Sequence, residues 1–303
     1  MKHVPVMLDE VMHYLSPKPE GRYIDCTFGA GGYSRKILSH AANVIAIDQD
    51  PDAKKVANDF EREFGDQFSF VQGNFADIRD LVTGKVDGIV WDLGVSSMQL
   101  DEGNRGFSFA KPAQLDMRMS QKGYSAMDFV NSASEKEIAD VIFHNGGEVK
   151  AKQIAKQIVA SRKESPITTT TQLADIVRKT VNRYHTKIDS ATKTFQAIRI
   201  FINDELGALK KSLASAANLL KTGGKIVLVS FHSLEDKIIK DYLKANSAKK
   251  VAKSKYAKVD NSSSDAIYQL LTHKSVKPSD EEVKNNPRAR SAKLRAAQKI
   301  ALL

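Results

Sequence analysis

Near its start the chain carries Asp25-Cys26-Thr27-Phe28-Gly29-Ala30-Gly31-Gly32-Tyr33-Ser34, followed by Asp48 nineteen positions after Gly29. Glycine allows positive φ and close approach of a ligand to the backbone. A carboxylate at that spacing can accept hydrogen bonds from two ribose hydroxyls. Further on, Asp92-Leu93-Gly94-Val95-Ser96-Ser97 puts an acid and a glycine at the end of an apolar run. Gly73-Asn74-Phe75 offers an aromatic face for a purine, with a core position as its structural alternative. Ser230-Phe231-His232 ends another apolar run on a group that can exchange protons.

The elements that must position these residues follow from periodicity. Apolar runs at 23–26, 44–48, 68–71 and 86–92 read as strands. Between the last of these and its predecessors lie helical patterns, one of them expected to open at Pro51. Such alternation predicts parallel βαβ units, with the glycines and Asp48 at one sheet edge. From about 101 to 194 the pattern is helical. Ser134 with Glu137 makes a capping-box signature, Val149 to Val159 predicts a second helix, and the threonines at 168–171 open a third. The α/β pattern then returns. One long amphipathic helix is expected from Phe195 to Leu220, capped by Gly223 and Gly224. A central strand follows from Lys225. Residues 261–264 read as a loop, and 267–276 as one arm of an edge hairpin.

The 303 residues carry a net charge of +10 and a pI near 9.4, compatible with a polyanionic partner or with a solvated lysine-rich surface. Eight lysines lie between 237 and 258 against the single acid Asp241, and six basic residues lie between 284 and 303 with no acid. The single cysteine, Cys26, excludes an intrachain disulfide and a cysteine-based zinc cluster. The histidines show no metal-ligand spacing. No apolar run reaches the roughly 18–20 residues of a membrane span, and no signal-peptide pattern is seen, so a cytoplasmic protein is expected.

Two cofactor classes use such a glycine turn. A dinucleotide fingerprint wants a third glycine where Ser34 stands, and a P-loop would need Gly-Lys-Ser/Thr. S-adenosylmethionine carries no phosphate, and the acid Asp25 before the turn suits its cationic amino-acid end. The residues favour it over a nicotinamide cofactor, with a tight turn that binds nothing as the structural alternative.

At this point the residues become family-specific. The chain resembles the RsmH/MraW family in His3-Val4-Pro5-Val6-Met7-Leu8, in the glycine turn, and in Asp92 to Ser97 with Gln99-Leu100-Asp101. The match continues through Arg105 to Phe109, Leu115 to Met119, Thr194 to Ile200, Ser230 to Asp236 and Asn286 to Arg295. The resemblance implies a class I (Rossmann-like) methyltransferase doubly wound sheet, α/β in class, with an all-helical insertion. The methyltransferase domain would span 1–100 and 195–303, and the insertion, 101–194, would recognise RNA. It implies S-adenosyl-L-methionine bound by Gly31, Gly32, Tyr33, Asp48, Phe75, Asp92 and Gln99. It also implies methylation of N4 of a decoding-centre cytidine in 16S ribosomal RNA of the small subunit. Tyr33 stands where the family usually has histidine, Val149 replaces a usual glutamate and Ser190 a usual proline.

The cytosine amine is a weak nucleophile because its lone pair is delocalised into the ring. It needs in-line placement at about 3–3.5 Å and an acceptor for its N–H. Asp92 is the first candidate acceptor and His232 the second. Phe107 and Phe109 are candidate walls for an extruded base, with packing inside the insertion as the alternative. Arg105, Arg118, Arg288, Arg290, Lys293 and Arg295 are candidate RNA contacts, together with the lysines at 237–258; Arg118 has the alternative of pairing with Asp116. No metal is required. A DNA amine methyltransferase is disfavoured because Asp92-Leu93-Gly94-Val95 lacks the Pro-Pro-aromatic sequence of that class. A non-enzymatic ribosome-assembly factor on the same fold is the remaining alternative, and the retained Asp48 and glycines argue against it. The sequence leaves monomer and homodimer open.

Overall fold

Strand β1 (Arg22–Asp25) sends Tyr23 to one face of a sheet and Ile24 to the other, and both are buried. The same two-sided burial recurs in β2 (Asn43–Asp48), where Val44 and Ala46 oppose Ile45 and Ile47. In β4 (Val86–Asp92) Val90 opposes Ile89 and Trp91. Strands apolar on both sides must be covered on both sides, which is the requirement of a doubly wound sheet. The computed structural model describes residues 5–181, 189–247 and 266–300, without the side chains of Ser97 and Asp101. Its chain divides into two compact units, Met1–Gly94 with Leu206–Leu303, and Val95–Glu205.

In the first unit α1 (Leu8–Leu15), α2 (Gly32–Leu38) and α3 (Ala53–Phe64) cover one face. Strand β3 (Phe68–Gln72) precedes the short α4 (Ile78–Leu81), which lies on the other face. The second unit holds α5 (Ser97–Asp101), α6 (Ala126–Ser132), α7 (Glu135–Gly146), α8 (Ala151–Glu164), α9 (Thr170–Val181) and α10 (Thr192–Ile202). The first unit resumes with α11 (Glu205–Leu219), β5 (Leu220–Ser230), α12 (Ser233–Ala245), β6 (Tyr268–Leu270), α13 (Asp280–Asn285) and β7 (Lys293–Lys299). The strand order is β3-β2-β1-β4-β5-β7-β6. Strands β1 to β5 pair in parallel, and β7 runs antiparallel to both neighbours. This order, with the seventh strand reversed between the fifth and sixth, is the class I methyltransferase sheet. Its order reverses between β1 and β4, so the two strands' carboxyl ends flank the switch-point crevice where ligands of such sheets bind.

Several expectations change. The helix predicted from 195 to 220 is two helices. Asp204 takes φ 45°, and the Asn203 side chain fills the break. Its amide donates to the carbonyls of Met117 (2.8 Å) and Arg199 (2.9 Å) and accepts from Met119 N–H (2.8 Å). Hence α10 packs inside the second unit through Phe195, Ala197 and Ile198, and that unit is wider than 101–194. Gly223 and Gly224 do not cap a helix. They lie within β5, where the pairing skips from Val86↔Leu220 to Gly88↔Lys225 and Gly223 takes φ 80°. Val149 is 75% exposed ahead of α8 rather than on its buried face. Pro51 lies in a turn before α3, whose first residue is Ala53. The expected loop at 261–264 and the lysines at 249, 250, 253, 255 and 258 lie outside the described residues. Among the described residues, no helix is long and apolar enough to cross a membrane.

Candidate active site

Three carboxylates end three parallel strands of the first unit. Asp25 closes β1, Asp48 closes β2 and Asp92 closes β4. Asp25 is 1% exposed; it accepts from Ser34 Oγ at 2.7 Å and from Thr27 N–H at 3.2 Å. Burial pushes its pKa up to about 6 against the pull of those hydrogen bonds. Asp48 accepts the N–H groups of Gly29 (2.7 Å) and Asp50 (2.9 Å), which ties the glycine turn to the second strand. Burial also raises Asp48 to about 6, helped by the charges of Asp50 and Asp25.

Thr27 links the two sides of the switch point. Its N–H donates to Asp25, and its hydroxyl oxygen accepts the Asp92 N–H at 2.7 Å. One oxygen of Asp92, Oδ1, is buried with no hydrogen-bond partner among the described residues. Burial first, then the charges of Asp25 and Glu235, hold the Asp92 carboxyl well above its ordinary range. A buried acceptor without a donor costs roughly 1–3 kcal/mol. Such a group is expected to meet a ligand. The neighbouring acids make a positively charged or N–H-bearing ligand the natural one.

The turn itself is closely packed against the protein's own core. Gly31 takes φ 76°, and a Cβ on it would fall 2.4 Å from the Phe60 ring. The Phe28 ring below it packs against Phe60, Phe68 and Phe70. Tyr33 is buried, with its hydroxyl donating to the Val6 carbonyl at 2.5 Å. Phe75 begins a 3-10 turn (Phe75–Asp77) after β3 and is half-buried, so part of its ring stays accessible. Asn74 donates to Gln49 at 3.0 Å, and Gly73 N–H to the Asp48 carbonyl at 2.9 Å, which joins the ends of β2 and β3.

His232 is the N-cap of α12. Its Nδ1 accepts the Glu235 N–H at 3.4 Å, while Glu235 Oε2 accepts from Phe231 N–H (2.8 Å) and His232 N–H (3.3 Å). With Nδ1 accepting, the neutral ring carries its hydrogen on Nε2. Nε2 lies 3.1 Å from Glu235 Oε1 but out of line for a hydrogen bond. His232 therefore caps α12 through Nδ1, and its Nε2, like Asp92 Oδ1, is buried without a hydrogen-bond partner among the described residues. Thr27 and Glu235 were not singled out from the sequence. Glu235 had a signal, the cap-x-x-Glu spacing from His232; Thr27 had none, since its role depends on β1 and β4 being neighbours.

The remaining expected residues are placed as follows. Gln99 belongs to the second unit, where it forms a capping box with Ser96 on α5. Arg105 donates to the carbonyls of Arg118 and Met119, both at 3.1 Å. Phe107 is 8% exposed and packs in that unit's core with Leu115 and Met117, so it presents no face to a base. Phe109 leans on Phe195 at 4.6 Å. Arg118 pairs with Asp116 through two hydrogen bonds (2.9 and 2.6 Å), which accounts for it without RNA. Lys293 and Arg295 converge on Asp236, at 3.2 and 2.6 Å, and Arg295 is 9% exposed within β7. They serve the sheet, because β7 lies inside it rather than in a tail. Arg288 and Arg290 are exposed on a 3-10 turn (Pro287–Ser291), and Lys237, Lys240 and Lys244 are exposed on α12.

A profile described as the MraW methylase family matches residues 1–300. The chain is 53% identical over 306 residues to "Ribosomal RNA small subunit methyltransferase H" of Orientia tsutsugamushi (strain Ikeda), covering 98% of each. It is 52% identical over 301 residues to the protein of that name from Rickettsia typhi (strain ATCC VR-144 / Wilmington), again covering 98% of each. With the strand order and the acid-lined switch point in place, a match of this extent leads to one conclusion: the chain belongs to the MraW methylase family.

Proposed function

We propose that this chain methylates the N4 amine of a cytidine in the decoding centre of 16S ribosomal RNA, with S-adenosyl-L-methionine as donor. Family membership supports methyl transfer, and the names of the relatives support ribosomal RNA of the small subunit as substrate. A cytoplasmic setting, where small subunits assemble, goes with that reading. The observation that carries the chemistry is Asp92 Oδ1 at the switch point, buried and without a donor among the described residues.

The cofactor would supply an electrophilic methyl group on a positively charged sulfur. The residues present fit it. Asp48, already oriented by Gly29 and Asp50, retains lone pairs for the two ribose hydroxyls. Asp25, Asp92 and Glu235 together favour a cationic ligand over a phosphate. The half-buried Phe75 offers a face to the adenine. Gly31, Gly32 and Gln99 are assigned to the same ligand by resemblance. Asp92 accepts an N–H of the target amine, which localises the nitrogen lone pair, and then receives the proton that the methylated amine must lose. A carboxyl held above its usual range is better matched to that proton. Nitrogen rather than ring carbon fits the site, because C5 methylation needs a cysteine nucleophile. Cys26, the single cysteine, is 1% exposed and its thiol is pushed well up by burial. For RNA grip, Arg288, Arg290 and the α12 lysines remain exposed.

The test is incubation with labelled cofactor and small subunits lacking the mark, followed by mass mapping. One cytidine should gain a methyl on N4. Label on C5, on another base, or on no RNA at all would refute the assignment.

A further inference from the structure

The stretch Pro5-Val6-Met7 has no task in the reaction above, yet it lies on the glycine turn. Pro5 packs so closely on Gly32 that a Cβ there would fall 2.2 Å from its Cγ. Val6 and Met7 are buried in the same core as Phe28 and Tyr33. Two hydrogen bonds hold the stretch from distant parts of the chain. The Tyr33 hydroxyl donates to the Val6 carbonyl at 2.5 Å, and Met7 N–H donates to Glu282 Oε1 on α13 at 2.7 Å. Between these two anchors Met7 takes φ 53°, a conformation that a residue with a Cβ adopts only when its surroundings enforce it. Burial and the nearby acids, Asp92 first among them, hold the Tyr33 hydroxyl in its protonated, donating form.

We propose that Tyr33 is a positioning residue: together with Glu282 it clamps residues 5–7 against the Gly31–Gly32 turn, making them one wall of the cofactor site. This rests on the cofactor reading given above. It assigns the tyrosine, where the family usually has histidine, to the protein's own backbone rather than to side-chain contact with the ligand.

Calorimetry with S-adenosylmethionine and its demethylated product tests the clamp on wild type, Tyr33→Phe, Glu282→Ala and the double variant. Loss of one net hydrogen bond should weaken cofactor affinity about five-fold in each single variant. The KM for cofactor should rise accordingly, with kcat at saturation within about two-fold of wild type. Amide exchange at Met7 should accelerate in both single variants. The double variant should fall short of the product of the two effects, because both release the same segment. Tyr33→Phe and Glu282→Ala with wild-type affinity and wild-type Met7 exchange would overturn the clamp while leaving the cofactor reading intact. Absence of binding to the wild type would overturn both. Should Tyr33→Phe not fold, Glu282→Ala carries the test, since Glu282 lies on the partly exposed α13.

Discussion

Individual residues at the strand ends set the chemistry. On the proposed role of Asp92 as proton acceptor, Asp92→Asn should lower single-turnover methyl transfer by about 10²–10⁴-fold. Cofactor affinity, read by calorimetry, should change far less. If the ionised carboxylate is the acceptor, as proposed, the wild-type rate should rise with pH through a pKa above the ordinary carboxylate range. That acid limb should vanish in the variant, and a wild-type profile in Asp92→Asn would remove Asp92 from the chemistry. Asp25 makes a second claim. Its pKa is raised from 3.8 to about 6, so the folded state holds its proton more tightly than the unfolded chain does. The stability this contributes is fully present below about pH 4 and is lost as pH rises through about 6. The Tm of Asp25→Asn relative to wild type should therefore become more favourable across that window in the absence of ligand. A pH-independent difference would show that Asp25 is not the group responsible.

Elements decide whether those residues meet. The turn between β1 and α2 closes on Gly31, where alanine would meet both a positive φ and the Phe60 ring at 2.4 Å. Gly31→Ala should destabilise the protein by about 2–4 kcal/mol from the two penalties together, measured by urea unfolding. Wild-type stability would mean that the Phe60 side of the turn yields freely. The break between α10 and α11 depends on one amide. Asn203→Ala deletes three part-buried hydrogen bonds and should cost about 2–3 kcal/mol in urea unfolding. Periodicity could not foresee this break, since Phe195, Ile198, Ile202, Leu206 and Leu209 keep a helical spacing straight across it. An asparagine followed by an aspartate at φ 45° ends the helix through contacts to Met117 and Met119, residues far away in sequence.

Across the whole molecule, charge has been divided between architecture and surface. Arg295 and Lys293 of β7 pair with Asp236 of α12, whereas Lys237, Lys240 and Lys244 face outward from that helix. Replacing those three lysines by glutamine should reduce the slope of log affinity for 16S RNA against log salt by about 2, at roughly 0.7 per phosphate contact. Arg295→Gln should instead lower stability and leave the slope unchanged. An unaltered slope in the triple variant would place the RNA elsewhere.

Unlike α1 and α4, the four strands up to Asp92, the helices after the glycine turn and after Pro51, the turn itself, its partner Asp48 and the acid at Asp92 were legible without coordinates. They are local: alternation, turn chemistry and spacing are properties of neighbouring residues. Which charges were free to act was not legible. Lys293 and Arg295 read as free cations in a basic stretch, and only the folded chain shows them beside Asp236, whereas the pairing of Arg118 with Asp116 was one of two readings its local sequence left open. For Phe107 the two readings, base wall or core, were equally open in the sequence, and the fold puts it in the second unit's core with Leu115 and Met117. The bridge from Asp25 through Thr27 to Asp92 belongs to the tertiary structure alone. Hydrogen bonds between strands sixty-odd residues apart depend on register and sheet order, which local sequence does not encode.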